Sequence, residues 1–229
     1  MKNSGAEWIK EKIRLLVEAS KKLVELGDMH YEGHAWSVVK LLLLGGWSYV
    51  YTTIVPKYFD KYWFVDLLAG PGTTKVEETG DVVAGSPFVA HFFARKPYKH
   101  YFLCDVKEKY IEKLKLLAKA VLNSPVTVMS ADCNEYASTV VRRAEKNNAH
   151  FFAFLDNEGL DARWETVKHL LGAKCDILIN FPTVGARRVL AAAIKTGDKR
   201  SVRALTGFFG DETWRDAQDG EDLLHRYLK

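Results

Sequence analysis

The sequence predicts an α/β protein: a Rossmann-like, doubly wound, mostly parallel sheet preceded by an N-terminal helical extension. Two observations carry this. Five short apolar runs, at 63–65, 101–103, 126–128, 151–155 and 177–179, alternate with amphipathic stretches. They are near-continuously hydrophobic, as strands covered by helices on both faces must be. Each run also closes, at or just beyond its carboxyl end, on an Asp or Asn: Asp66, Asp105, Asp132, Asp156 and Asn180.

Two helices come before the sheet. Ser4 and Glu7 have the spacing of a capping box, and Ile9, Ile13, Leu16, Val17, Leu23 and Val24 recur on one face until Gly27 ends the run. A second helix begins near His34, carries Trp36, Val39 and the run 41–44, and ends near Pro56; Gly45 and Gly46 mark a close backbone approach or a break in it. Gly85-Ser86-Pro87 opens a crossover helix through Phe88, Val89 and Phe92, with Ser86 as N-cap and Pro87 at the first helical position. Tyr110, Ile111, Leu114, Ala118 and Val121 trace another, and Tyr136, Val140, Val141 and Ala144 a third. After Ile179, helical segments are expected around 184–196, 212–217 and 221–228, with no clear further strand and so a five-stranded sheet. The expected division is 1–60 for the helical extension packed on the sheet and 61–229 for the Rossmann-like domain.

With 229 residues, 48% hydrophobic and 27% charged, the chain has the composition of a globular protein with one sizeable core. A net charge of +4 is compatible with a nucleic-acid partner, but 29 acidic residues set among 33 basic ones do not single one out. Cys104, Cys133 and Cys175 lie far apart, give neither a disulfide framework nor a zinc knuckle, and read as small buried hydrophobes in a reducing cytoplasm. No apolar signal region opens the sequence. The stretch 36–55 contains Lys40, the glycine pair and several hydroxyls, whereas spanning a membrane needs about 20 predominantly apolar residues; it reads as a buried core helix, with no membrane association. Trp47, Tyr49 and Tyr51 read as core more readily than as a stacking platform. His30 and His34 have near-metal spacing without a third ligand, so no metal is assigned.

In open parallel sheets the ligand crevice lies outside the carboxyl ends of the strands, where the strand order reverses, so the five polar groups should converge on one cleft. A single Asp there is explained as a helix N-cap; five in series are harder to dismiss. The first opens Asp66-Leu67-Leu68-Ala69-Gly70-Pro71-Gly72, a strand running into a turn where Gly70 and Gly72 let a ligand approach the backbone. A dinucleotide fingerprint needs a third glycine at position 75, where Lys75 stands, and the Gly-Lys-Ser/Thr end of a P-loop is missing. A rim of carboxylates repels a polyphosphate but suits a sulfonium cofactor with an α-amino group, which favours S-adenosyl-L-methionine. Asp105 stands where a carboxylate accepts the two ribose hydroxyls, and Asp132 where one accepts from the adenine amino group, although Asp132-Cys133-Asn134-Glu135 also looks like a helix start.

The segment 66–72, Gly85-Ser86-Pro87, Asp132-Cys133-Asn134, Asp156 with Gly159, Asn180-Phe181-Pro182 with Arg187, and Phe208-Phe209-Gly210 with Trp214-Arg215 together resemble the three-Cys-motif partner (TcmP) proteins, a branch of the Rossmann-like methyltransferases. The resemblance covers residues 36 to 229. It implies a class I methyltransferase fold with S-adenosyl-L-methionine at the carboxyl edge, bound by Asp66, Ala69, Gly70, Pro71, Gly72, Gly85, Ser86, Asp105, Asp132 and Cys133. Two departures stand out. The sequence ends at Lys229, without the last strands of a seven-stranded sheet, and Asp156-Asn157-Glu158-Gly159 stands where family members usually have a proline after the aspartate.

Methyl transfer is an in-line displacement at a carbon already activated by the sulfonium, so the protein's main contribution is alignment of the acceptor lone pair. Asp156 and Asn157 are the candidates for orienting an acceptor nitrogen, and Asn180, Arg187 and Arg188 for binding the substrate. Arg187, Arg188, Lys195, Lys199, Arg200 and Arg203 form a basic stretch that suits a nucleic-acid backbone or, equally, an ordinary solvated helix face. Three readings follow in order: a methyltransferase acting on RNA, DNA or a nucleic-acid-bound substrate; a silent or partner-dependent module that binds the cofactor and associates with nucleic acid; and a dehydrogenase-like enzyme, against which Lys75 argues.

Overall fold

The structure, a computed structural model, describes residues 5–228, with no side chain described at positions 5, 6 and 9; Ser4 and Ile9 of the expected first helix therefore lie outside the described groups. All five apolar runs are strands. In chain order the strands are β1 (Tyr31–Gly33), β2 (Tyr62–Asp66), β3 (Thr73–Val76), β4 (Val82–Ala84), β5 (His100–Asp105), β6 (Val126–Ser130), β7 (His150–Asp156) and β8 (Cys175–Asn180). The helices are α1 (Gly5–Val24), α2 (Ala35–Ile54), α3 (Ser86–Phe93), α4 (Glu108–Val121), α5 (Cys133–Asn147), α6 (Trp164–Leu171), α7 (Thr183–Thr196), α8 (Lys199–Phe209) and α9 (Gly220–Tyr227). The large sheet has the order β6-β5-β2-β7-β8 with every pair parallel, a Rossmann-like doubly wound arrangement in which the order reverses at β2.

Side chains alternate across the strands and sort two cores. Tyr62, Phe64, Tyr101, Leu103, Phe152 and Phe154 share one with residues of α1 to α4, while Trp63, Val65, Phe102, Phe151, Ala153 and Leu155 share the other with α5 and α6. Leu16, Leu23, Leu41, Leu44 and Tyr51 belong to the first of these, so the N-terminal helices share the sheet's core and add none of their own. A third cluster, with Leu190, Leu205, Phe208, Trp214 and Leu223, joins α7, α8 and α9 beyond β8.

Several local expectations are corrected. The buried face of α1 is Lys12, Leu16, Ala19, Ser20 and Leu23, leaving Ile13, Val17 and Val24 exposed. The Lys12 ammonium lies over the Tyr49 ring, 5.1 Å from its centroid, and Ser20 Oγ accepts from Ala84 N at 2.8 Å, so polar contacts choose the face. Ser86 is the first residue of α3, not its cap; Gly85 is the N-cap and makes no side-chain cap bond. The helix α8 and a small second sheet, β1-β3-β4, were not anticipated. All three cysteine thiols are raised by burial, Cys104 and Cys133 being buried and Cys175 half-buried.

The core-helix reading of α2 holds for one face. Leu41, Leu44, Gly45, Ser48, Tyr51 and Thr52 are buried, whereas Trp36, Val39, Leu43, Trp47, Val50 and Ile54 form an exposed stripe; by length and composition alone this helix could cross a membrane. There is no break at the glycine pair. A Cβ on Gly45 would lie 2.5 Å from the Phe93 ring of α3, whereas one on Gly46 would meet only Trp8, at 4.0 Å. Gly45→Ala should therefore lower stability by roughly 1–3 kcal/mol through overpacking, and Gly46→Ala should raise it by up to about 1 kcal/mol through helix propensity. Urea midpoints of the two variants measure this; equal effects would remove the close α2–α3 approach as the reason for Gly45.

Candidate functional site

The turn after β2 lies where the strand order reverses. Asp66 Oδ1 accepts from Leu68 N at 3.2 Å, Ala69 N donates to Cys104 O at 2.9 Å, and Gly70 N donates to Asp105 Oδ2 at 3.1 Å. Gly70 and Gly72 both hold left-handed φ values, +58° and +86°. Their roles differ. A Cβ on Gly72 would lie 2.6 Å from the Phe88 ring, so this glycine admits the helix behind the turn, whereas one on Gly70 would meet nothing within 4 Å. Only Gly70 leaves its backbone open. The turn runs on into β3, which contains Lys75, and the β3–β4 hairpin returns the chain to Gly85, whose N–H donates to Gly72 O at 2.8 Å.

The carboxylates at the strand ends occupy different environments. Asp66 is fully buried beneath the turn, and its Oδ2 has no hydrogen-bond partner among the described residues. Burial pushes its carboxyl up to about 7, with Ser86 and the Leu68 amide pulling the other way. Asp105 accepts from Gly70 N and from Lys107 N, the latter at 2.8 Å, which leaves about half of the roughly four lone-pair sites of an ionised carboxylate free. Asp132 is the exposed N-cap of α5 and accepts from Asn134 N at 2.7 Å. Cys133 is buried, its thiol pushed up to about 12 by desolvation. None of Asp66, Asp105, Asp132 and Cys133 lines the space beside the turn; with Asn134, which receives Arg163 N and the Thr166 hydroxyl, the segment at 132–133 braces the loop after β7.

Beside the turn is a space of about 40 Å³ bounded by Ala69, Gly70, Pro71, Gly72, Gly85 and Ser86. A groove of about 910 Å³ opens on the β7–β8 side. Tyr31, Ser37, Lys40, Asp156 and Glu158 line both and form the wall between them. In that wall the Lys40 ammonium pairs with Asp156 Oδ2, while Asp156 Oδ1 accepts from Asn180 Nδ2 at 3.0 Å. Tyr31 hydrogen-bonds Glu158, and desolvation raises both groups above their usual ranges. Asn157 is 1% exposed with its amide already engaged: Nδ2 donates to Asn180 O at 3.3 Å and Oδ1 accepts from Ala162 N at 3.0 Å. Both residues expected to meet an acceptor line the groove, but only Asp156 also lines the smaller space and stands in the wall, while the amide of Asn157 is already engaged. Asn180 and Arg188 line the groove; Arg187 is exposed and does not.

Tyr31, Ser37 and Lys40 escaped the sequence reading because β1 and the start of α2 are brought over the sheet only by the second sheet, and Glu158, just after β7, because its partner is Tyr31 of that same β1. One signal existed: Lys40 is the lone charged residue of α2. His30 Nδ1 is 2.9 Å from Thr73 Oγ1, and the His34 ring faces Glu77 and Glu78. Among the described residues no three His, Cys, Asp or Glu gather as a metal site.

No protein-family model matches the sequence, and comparison with curated proteins finds no match. Among solved structures the chain is similar to protein LPL1258 from Legionella pneumophila str. Philadelphia 1, described under the family model DUF519, with a TM-score of 0.51, 12% identity, and 75% of this chain covering 74% of that one. At that identity the likeness is one of fold: a Rossmann-like α/β domain.

The buried carboxyl gives a test of the site's electrostatics. Because the folded-state value of Asp66 is about 7 against 3.8 unfolded, its protonated form favours the fold below pH ~4, and that stability is lost as pH rises through 7. The loss amounts to at most roughly 4 kcal/mol. The half-buried His30, His91, His100 and His150, all lowered, slope the opposite way in wild type and variant alike. The stability difference between Asp66→Asn and wild type should therefore move in the variant's favour between pH 5 and 8. A difference that stays constant with pH would show that Asp66 titrates normally.

Proposed function

We propose that the protein is an S-adenosyl-L-methionine-dependent methyltransferase of the TcmP type, working in the cytoplasm. One observation carries the reading: at the reversal of strand order, the glycine turn presents the open backbone of Gly70, whose N–H donates to the Asp105 carboxylate, next to the buried carboxyl of Asp66. The spare acceptor sites of Asp105 suit the hydroxyls of a ribose diol, and the acidic surroundings suit an α-ammonium and a sulfonium and offer nothing to a pyrophosphate. The cofactor, when bound, supplies a methyl group activated by the sulfonium. The residues of this chain bind it and align the acceptor.

Ligand pockets are typically about 300–1,000 Å³, so the 40 Å³ space must widen to take a nucleoside cofactor. Lys40 and Tyr31 are the long side chains of the wall it shares with the groove. Movement of Lys40 away from Asp156 both enlarges the space and frees Asp156 Oδ2 to accept a hydrogen bond from an acceptor N–H, while Asn180 holds the other oxygen in place. The same ion pair supports the second reading, a module that stays closed until a partner or acceptor displaces Lys40.

Calorimetric titration tests the proposal. The protein should bind S-adenosyl-L-methionine and not NAD. Asp105→Ala removes charge-assisted hydrogen bonds of about 1.5–3 kcal/mol each and should weaken binding at least roughly tenfold; Asp132→Ala, at the exposed cap, should weaken it less. Heat with NAD alone would overturn the reading, and no heat with either ligand from folded protein would favour the partner-dependent module. Lys40→Ala should bind the cofactor more tightly if the wall has to open.

A further inference from the structure

We propose that a single-stranded polynucleotide occupies the β7–β8 groove, its backbone along α7 and α8 and one unstacked base directed at Asp156. The fate of that base rests on the methyltransferase reading; the binding itself does not.

The first argument is charge segregation. Residues 183–209 contain Arg187, Arg188, Lys195, Lys199, Arg200 and Arg203 against a single acid, Asp198, whereas 210–229 hold six acids against three Lys and Arg. All six cations are exposed, and among the described residues none lies within ion-pair reach of a carboxylate. Asp198 is consumed as the N-cap of α8, accepting from Arg200 N, Ser201 N and the Ser201 hydroxyl. In the acidic stretch that follows, Arg215 and Arg226 do find carboxylates. An ordinary solvated helix face mixes its signs; this one has been left basic and uncompensated, as a phosphodiester backbone requires.

The second argument is where the cations lead. Arg188 lines the groove, and Lys195, seven residues on, falls on the same face of α7, so the basic run starts at the groove mouth and continues into α8. The groove is lined by apolar Leu43, Val184 and Val189 and, on the side of the shared wall, by polar Asp156 and Asn180. Trp36, 80% exposed, stands in its lining. An exposed indole and hydrogen-bonding groups lining one groove fit the face and edge of an unstacked base, whereas a base paired in a duplex has its edge already engaged. An anionic membrane would use the cations and the α2 stripe but leave the polar groups of the groove, Asp156 and Asn180, unused.

Fluorescence anisotropy with a labelled single-stranded RNA, the DNA of the same sequence and the corresponding duplex tests this across a salt series. Both single strands should bind more tightly than the duplex, and a preference between them names the natural source. In Arg187→Ala/Arg188→Ala the slope of log K against log salt should become shallower by ~1.4, two cations at about 0.7 each. Trp36→Ala should weaken single-strand binding about tenfold with the slope unchanged. Absence of oligonucleotide binding, an unaltered slope in the double variant, or binding confined to phosphatidylglycerol vesicles would overturn the proposal. Parallel titration with S-adenosyl-L-methionine keeps the two readings apart: cofactor binding without oligonucleotide binding defeats this inference alone, and the converse defeats the methyltransferase reading alone.

Discussion

The backbones of Gly72 and Gly85 meet so closely that a Cβ on Gly85 would lie 2.7 Å from the Gly72 carbonyl carbon, and the Gly85 N–H closes a 2.8 Å bond to the Gly72 oxygen. Much of the site hangs on this contact. It pins the start of α3 against the turn after β2, which seats the Phe88 ring in the space that Gly72 leaves and sets Ser86 beside Asp66. Farther along, α3 meets α2 at Gly45 through Phe93, so the helix that carries Lys40 is registered to the turn by a chain of close packing. Interiors packed at this density transmit position over several residues without any direct bond between the groups they align.

The electrostatics of the cleft follow from the different ways its carboxylates are compensated. Asp66 is fully buried, and that desolvation pushes its carboxyl up to about 7. Asp105 is solvated by two backbone amides, Asp132 by the first turn of α5, and Asp156 by Lys40 and Asn180. Residues that look equivalent at the ends of apolar runs are thus chemically distinct, because a carboxylate takes its character from what replaces water around it. In the proposed function Asp66 and Asp105 serve the cofactor, and Asp156, on the far side of the switch point, serves the acceptor; Asp132 has its oxygen engaged by the helix it caps.

The large sheet was legible because buried parallel strands leave an unbroken apolar signature, and the polar residue ending each one is visible without any knowledge of its neighbours. The second sheet was not, since β1, β3 and β4 are three or four residues long and show no periodicity to read. The helix α8 was overshadowed by its own charges. For α1 the apolar count favoured Ile13 and Val17, yet the contacts of Lys12 with aromatic rings and of Ser20 with β4 turned the helix to another face. Asn157 offered a polar side chain in a promising place; the need to satisfy a buried loop amide and the Asn180 carbonyl took both ends of it.

Hydrophobic periodicity and the spacing of glycine and aspartate, local properties of the chain, were enough to determine the Rossmann-like class, the five strands and the turn at Asp66–Gly72. The strand order, the wall made by Tyr31, Lys40, Asp156 and Glu158, and the division between a small space at the glycine turn and a large groove at β8 were decided only in three dimensions. Those features depend on contacts between residues far apart in the sequence, 88 positions for Tyr62 with His150 and more than a hundred for Lys40 with Asp156, and a pairing of that kind leaves no mark on the local pattern of either segment.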